Sequence, residues 1–386
     1  MPVQSTLFSQ LLQLLPWSVL DRSVAVHKMD KGNRGLDARS HLCALILGHL
    51  IEANGLRDIE TAQAAHAPAL KRRRIKLACR STLADASRQR SPAAFEALIP
   101  ALLAQLSPAK ARQTKEDLRL IDSTLIHPGH GAQNWAHFQN GKIAAKVHVV
   151  YDPKARVPVF YELTHGNIND ILVAKTLMPV EAGATYVFDL GYYDFGFWAD
   201  LDQKQCRFVT RLKKNTCVAL IEERRVIKGT HAVTRDAIVK LPERLAKSRR
   251  NPFSKPGRIV DVVIETGKTL RLFTNDLESG ADEIAGLYKT RWQIELFFRW
   301  IKQNLKIRHF HGRSENAVRL QIIAAIITYM LLKLLHIAAK TRKTASRFFT
   351  GLRMALFQRM ELTTLVTRME RRTLSPISSP QLEFKL

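Results

Sequence analysis

Acidic residues are the scarce class in this chain: 34 Asp and Glu stand against 60 Lys and Arg over 386 residues, a formal charge of +26. The shortfall excludes charge balance within the chain itself. A protein with so much uncompensated positive charge repels itself, and the usual compensating partner is a polyanion, with nucleic acid the first candidate. Cysteine is scarcer still. Cys43, Cys79, Cys206 and Cys217 lie far apart with no Cys-x2-Cys pair, which excludes a disulfide framework or a thiol zinc site and fits reduced thiols in a cytosol. The N-terminal MPVQSTLFSQLLQLLPW lacks the basic region and small-residue cleavage site of a signal peptide. Long hydrophobic runs are nearly absent. The most apolar one, Ile322 to Ala339, is interrupted by Lys333 and His336 and reads as a buried core helix, so no membrane partner is expected. No internal repeat is found.

What is present is enough apolar material, 46% of residues, for a sizeable core and two or three domains. Residues 1 to about 110 read as all-helical. Pro16 separates two short helices, Asp37 caps one that runs to Asn54-Gly55, and Ser91-Pro92 opens another that ends before Ser107-Pro108. Between them Lys71, Arg72, Arg73 and Arg74 precede a short helix with Thr82 and Asp85 at capping-box spacing, an arrangement open to a helix-turn-helix-like reading of DNA. From about residue 116 the period turns strand-like. LRLIDSTLI, AAKVHVVYD, VPVFYELTHG and TYVFDLGYY are short β-branched and aromatic runs, and NINDILVAKTLM is a helix with an Asn start, the order of an α/β domain. More strands follow over 205–275, with RIVDVVIE and TLRLFT joined by Thr266-Gly267-Lys268 and a basic loop AKSRRNPFSKPGR between strands. Beyond Asn275-Asp276 the chain becomes helical again.

Asp122 and Asp189 each follow an apolar run in an expected strand, where an ionised side chain is costly unless it is paired or holds a cation. If the two strands are neighbours, the carboxylates meet on one face of the sheet. The stretch YKTRWQIELFFRWIKQNLK, read as one helix, puts Tyr288, Arg291, Glu295, Arg299 and Lys302 within roughly one quarter of its circumference. Ile294, Phe297, Phe298, Ile301 and Leu305 form its apolar back. Glu295 can complete a three-carboxylate cage with the two aspartates for Mg2+, and two such ions serve phosphoryl transfer. Arg291, Arg299 and Lys302 would neutralise phosphates beside it.

Tyr288, Arg291, Glu295 and Lys302 match the Tyr-x2-Arg-x3-Glu-x6-Lys signature of the DDE transposases of insertion-sequence family four, relatives of the transposon-five and transposon-ten enzymes. Asp122 in IDSTLI, Asp189 in DLGYYD, Trp135-Ala136-His137-Phe138, Lys146 and His148 extend the resemblance, and FSQLLQLLPWSVLDRSV and RSTLADASRQR carry it into the N-terminal region. The resemblance implies a helical DNA-binding domain over 1–110 and an RNase H-like core over 111–204 and 276–340. A mainly β insertion over 205–275 interrupts that core, and a basic helical segment and tail follow over 341–386. It implies Asp122, Asp189 and Glu295 as metal ligands for two Mg2+ ions, with Mn2+ as a substitute, and Tyr288, Arg291 and Lys302 as DNA contacts. Arg211 and Lys213 would add backbone contacts. His127 and His130 hint at zinc but lack further ligands.

The function so implied is excision of an insertion sequence at its terminal inverted repeats and joining of the 3′-hydroxyls to target DNA, by a homodimer in a synaptic complex at the bacterial nucleoid in the cytoplasm. Relatives form hairpin ends and hold a flipped base on a tryptophan of the β insertion. This chain has no Trp between 205 and 275. Phe253, in the basic loop, is then the expected stacking residue, with Trp292 as its rival. Two other functions remain open: an RNase H-like nuclease such as a junction resolvase, and a transposase-derived repressor.

Overall fold

Pro16 has no backbone N–H to give a helix, and the chain breaks there as expected: α1 (Leu7–Gln13) ends and α2 (Trp17–Val26) begins with Pro16 as its N-cap. Asp37 opens α3 (Ala38–Leu50) by accepting from Ser40 N at 2.7 Å, a cap worth about 1 kcal/mol. The series continues through α4 (Leu56–Ala65), α5 (Ala67–Arg72), α6 (Arg80–Gln89), α7 (Ala93–Glu96) and α8 (Leu98–Leu106). The computed structural model describes residues 5–32, 35–106, 117–129, 131–132, 134–136, 143–244, 250–305 and 310–371.

The expected capping box at Thr82 and Asp85 does not form, because α6 starts earlier with Cys79 as its N-cap. The cause lies in the segment before it. Lys76 N donates to Ser40 Oγ and Ala78 N to Gln63 Oε1, both at 2.9 Å, so this strap is fixed to α3 and α4 and enters the helix at Arg80. Asp85 pairs instead with Arg88.

The chain divides into two units, Met1–Leu106 with Leu320–Leu386 and Ser107–Arg319. In the first, Leu36, Ala44, Ile59 and Leu83 form a core that joins α3, α4 and α6. The C-terminal part joins it through α13 (Glu315–Ala339), whose residues from Leu320 to Leu332 are buried, α14 (Ala345–Met354) and α15 (Leu362–Arg371). Phe8 N donates to Leu356 O at 2.8 Å, and Arg353 pairs with Glu52. Among the described residues only α13 is long and apolar enough to cross a membrane, and two thirds of its apolar window is buried. The Ser/Pro tail lies outside the described residues.

The second unit is α/β. Its strands are β1 (Leu118–Ile126), β2 (Ala145–Asp152), β3 (Val157–His165), β4 (Thr185–Val187), β5 (Arg207–Arg211), β6 (Ala219–Glu223), β7 (Ala232–Lys240), β8 (Gly257–Val263) and β9 (Thr269–Thr274). They form one sheet in the order β3-β2-β1-β4-β5-β9-β8-β7-β6. β4 runs parallel to β1 and to β5, and all other neighbours are antiparallel. The strands grouped by sequence into an insertion thus continue the sheet, and β5 is paired directly with β4. The β8–β9 turn closes with Gly267 at φ +76, left-handed backbone that suits glycine.

The helices of this unit are α9 (Asp170–Thr176), capped by Asn169, α10 (Phe195–Gln203), α11 (Ala281–Thr290) and α12 (Trp292–Asn304). Tyr186, Phe188, Trp198, Phe208 and Phe273 build an aromatic core between α10 and the sheet. The stretch expected as one helix is two, with Arg291 at the junction of α11 and α12. Arg291 keeps helical dihedrals, φ −52 and ψ −31, so the polar residues still follow one another around the axis.

Candidate active site and nucleic-acid interface

β1 and β4 are parallel neighbours with Leu120 opposite Val187, so Asp122 and Asp189 each follow the last paired residue by two positions, near enough for the charge of Asp189 to bear on the Asp122 carboxyl. Asp189 lies just past the end of β4, in extended backbone, and caps a 3-10 turn (Leu190–Tyr192) by accepting from Gly191 N at 2.8 Å. Asp122 accepts from Ser123 N at 2.8 Å. Burial, with the charges of Asp189 and Glu295, pushes the Asp122 carboxyl up to about 7 against the opposing Ser123 N–H and Arg291.

The third carboxylate arrives from α12, which packs on β1 through its apolar back of Ile294, Phe297, Phe298 and Ile301. Phe297 and Tyr151 of β2 lie 5.1 Å apart, ring to ring. Arg291 joins the two elements. Its Nη1 stands 3.5 Å from Asp122 Oδ2 and its Nη2 2.6 Å from Glu295 Oε1. Tyr288 is buried beneath it, and burial holds its hydroxyl above the usual range while Arg291 and Arg211 counter that.

In this state the guanidinium supplies the countercharge between Asp122 and Glu295. Among the described residues no group of three His, Cys, Asp or Glu side chains is gathered closely enough to hold a metal ion. The donor set nevertheless fits a hard divalent cation, since it consists of carboxylate oxygens.

The remaining expected residues fall into different settings. Lys302 donates from Nζ to Thr124 Oγ1 and to Leu125 O, tying the end of α12 to β1. Arg299 is exposed and stands 5.8 Å from the ring of Trp292, itself 50% exposed. Lys213 lies 4.4 Å over the Tyr193 ring. His127 Nδ1 is 3.3 Å from Ile143 O, whereas His130, His137 and Phe138 lie outside the described residues. Trp135 donates from its indole to Arg313 O at 2.8 Å.

Phe253 does not present its ring to solvent, contrary to expectation. It is 2% exposed and packs edge-on against Phe208 and Phe273 at 5.9 and 5.8 Å. Asn251 turns the loop inward, accepting from Phe253 N at 3.0 Å and donating to Pro242 O at 2.9 Å. A ring locked in this core cannot stack on a base.

Sequence reasoning misses Asp170, the first residue of α9. Its Oδ1 lies 3.1 Å from Lys146 Nζ and 3.3 Å from His148 Nδ1. Among the described residues the buried Tyr192 hydroxyl has no hydrogen-bond partner, and burial together with the charges of Asp170, Asp122 and Asp189 holds it well above its usual range. Asp170, Asp122 and Asp189 thus all act on one buried hydroxyl. The only local signal of Asp170 is a helix-start motif, which explains an N-terminal Asp without any site.

In the other unit, Lys71 and Arg72 end α5, and Arg73 and Arg74 follow it, all four exposed. Lys76, Arg80 and Arg88 are exposed as well. The strap fixed by Ser40 and Gln63 therefore displays a cationic surface on a rigid support, suited to phosphates.

A family model of the transposase DDE domain matches residues 113–331, more than half of the chain. Residues 3–72 match a domain of unknown function (DUF4372). A putative transposase of Sinorhizobium fredii is 40% identical over 287 residues, 73% of this chain and 79% of the relative. A probable transposase for an insertion sequence element of Geobacillus stearothermophilus is 30% identical over 267 residues, 65% of this chain and 68% of the relative. Among solved structures, a piggyBac transposase synaptic complex with hairpin DNA aligns over 97% of this chain and 80% of that one, at 11% identity and a TM-score of 0.45, too low for either fold to be read from the other.

Proposed function

The chain belongs to the DDE transposase family, and from that premise we propose that Asp122, Asp189 and Glu295 form the centre at which it cleaves the terminal inverted repeats of an insertion sequence and joins the 3′-hydroxyls to target DNA. The observation that carries the assignment is the parallel β1–β4 register, which brings the two aspartates near each other, with Glu295 joined to Asp122 through Arg291. The three carboxylates would hold two Mg2+ ions, or Mn2+ in their place, which when bound supply positive charge to the attacking and leaving oxygens.

Arg291 orients Asp122 and Glu295 and would meet a DNA phosphate, with Tyr288 and Arg211 beside it. Lys302 keeps α12 on β1. Arg299 and Lys213 meet the backbone, and Trp292 stacks on a base displaced when hairpin ends form. The strand order β3-β2-β1-β4-β5 supports reading this part as an RNase H-like core, with β6 to β9 as inserted strands. Lys71, Arg72, Arg73 and Arg74 bind the terminal repeat, two copies pair the element ends, and the site of action is the bacterial nucleoid.

Strand transfer is the test that separates this reaction from simple nuclease action. Labelled element ends incubated with plasmid and Mg2+ should become covalently joined to it. Cutting without joining would overturn the transfer step.

A further inference from the structure

Lys146 and His148 alternate onto one face of β2, and Asp170, the first residue of α9, lies against both. Thr164 on β3 sets which imidazole nitrogen holds the proton. Its hydroxyl donates to His165 O at 3.1 Å and therefore accepts from His148 Nε2 at 2.9 Å. His148 is 3% exposed, and burial takes its imidazole down to about 4, so at neutral pH Nδ1 is bare. Nδ1 and Asp170 Oδ1 are then two acceptors facing each other at 3.3 Å, and neither has a hydrogen-bond partner among the described residues.

His148 and Asp170 border a cavity of about 10 Å³ together with Tyr192, and the rest of its lining is apolar. The Tyr192 hydroxyl is the third buried polar atom there without a hydrogen-bond partner among the described residues. The volume is about what a single water needs. One water satisfies all three atoms: its two hydrogens go to Nδ1 and Oδ1, and its oxygen accepts from the tyrosine hydroxyl. A metal ion is disfavoured in the same place, because Lys146 Nζ, 3.1 Å from Oδ1, already supplies the countercharge to Asp170.

Tyr192 also ends the 3-10 turn that Asp189 caps. Its N–H donates to Asp189 O at 3.2 Å, its carbonyl accepts from the Trp198 indole at 3.2 Å, and its ring packs edge-on against Phe188 at 5.9 Å. Asp170 abuts the same turn. Its Oδ2 and Asp189 Oδ1 lie 3.6 and 3.0 Å from the point that a Cβ on Gly191 would occupy. A shift of Tyr192 is therefore passed to the main chain and the carboxylate of Asp189.

We propose that Asp170 is a positioning residue for strand cleavage, which through one buried water shared with His148 and Tyr192 holds the turn that aims Asp189. The proposal rests on Asp189 being a ligand of the centre, and Asp170 acts only through the turn. Partners of this kind, one step behind a metal ligand, fix the direction in which the ligand points.

Thermal melts of the full chain without DNA or metal test the bridge. Tyr192→Phe should melt below wild type, because the water loses its donor, whereas deleting a buried hydroxyl that has no partner would leave the melting temperature unchanged or raise it. In an Asp170→Ala background the same substitution should cost much less, since the shared network is already broken. Cleavage assays well below the melting temperatures then test positioning. Tyr192→Phe and Asp170→Ala should each raise the Mg2+ concentration for half-maximal cleavage by about 10- to 100-fold, with affinity for a terminal repeat unchanged in gel shifts. Lost stability alone would not move that requirement. A Tyr192→Phe protein that melts at or above wild type, a full cost retained in the Asp170→Ala background, or an unchanged Mg2+ requirement would overturn the proposal. An Asp189→Ala protein that still cleaves would instead fail the catalytic assignment, on which the metal-free melts do not depend.

Discussion

Asp122 on β1 and Arg291 at the head of α12 face each other, Oδ2 to Nη1, at 3.5 Å. That contact places a cation beside a buried carboxyl which burial, with the charges of Asp189 and Glu295, pushes up to about 7.

A pH dependence follows from the direction of that shift. An acid whose folded value lies above its ordinary one binds its proton more tightly when folded, so its contribution to stability is whole below about pH 4 and is lost as pH rises through about 7. Asp122→Asn should therefore melt higher than wild type at neutral pH without divalent cations, and the gap should close at pH 4. Added Mg2+ should raise the melting temperature of wild type and leave Asp122→Asn nearly unchanged. Thermal melts at both pH values decide it; equal responses to Mg2+ would remove Asp122 from the ligand set.

Lys302 holds Thr124 and the Leu125 carbonyl. Replacement by Met should cost about 1 to 3 kcal/mol of unfolding free energy, the worth of hydrogen bonds made by a charged donor. A residue used only to touch DNA would leave urea denaturation unchanged.

Phe253 and Trp292 should separate cleanly. Phe253→Ala removes a buried ring and should lower stability by about 3 to 5 kcal/mol. Trp292→Ala should leave stability nearly intact and reduce the double-length strand that marks a hairpin on denaturing gels, without reducing the first nick. Loss of the nick as well would place Trp292 in general DNA binding.

Replacing Lys71, Arg72, Arg73 and Arg74 together by Ala should weaken binding to a terminal repeat and flatten its salt dependence, by up to about four in the log-log slope if each neutralises a phosphate. An unchanged slope would move the contact elsewhere.

What the sequence disclosed depended on whether a signal was local. Pro16, Asp37 and Asn169 act on their own helix ends, and each marks one correctly. The α/β class was equally legible, because strand and helix periods differ. The break at Arg291 was not, since no Gly, Pro or capping residue marks it and the backbone stays helical through it. Thr82 and Asp85 had the right spacing for a cap, but Ser40 and Gln63, distant in sequence, fixed the helix start at Arg80. Phe253 shows the same limit. Its basic neighbours suggest a surface loop, whereas its burial is decided by Phe208 and Phe273, 45 and 20 residues before and after it. Asp122 and Asp189 were picked out as costly carboxylates in apolar runs, but only the strand pairing brings them together.

The central claim is that Asp122, Asp189 and Glu295 serve one chemical centre while other surfaces hold the DNA. Paired gel-shift and cleavage assays on the three single alanine variants measure this most directly. Each variant should bind a terminal repeat nearly as wild type does and cleave neither strand with Mg2+ present, because the carboxylates act on the transition state and the basic surfaces supply the binding. Full cleavage by Glu295→Ala, with binding intact, would contradict the account.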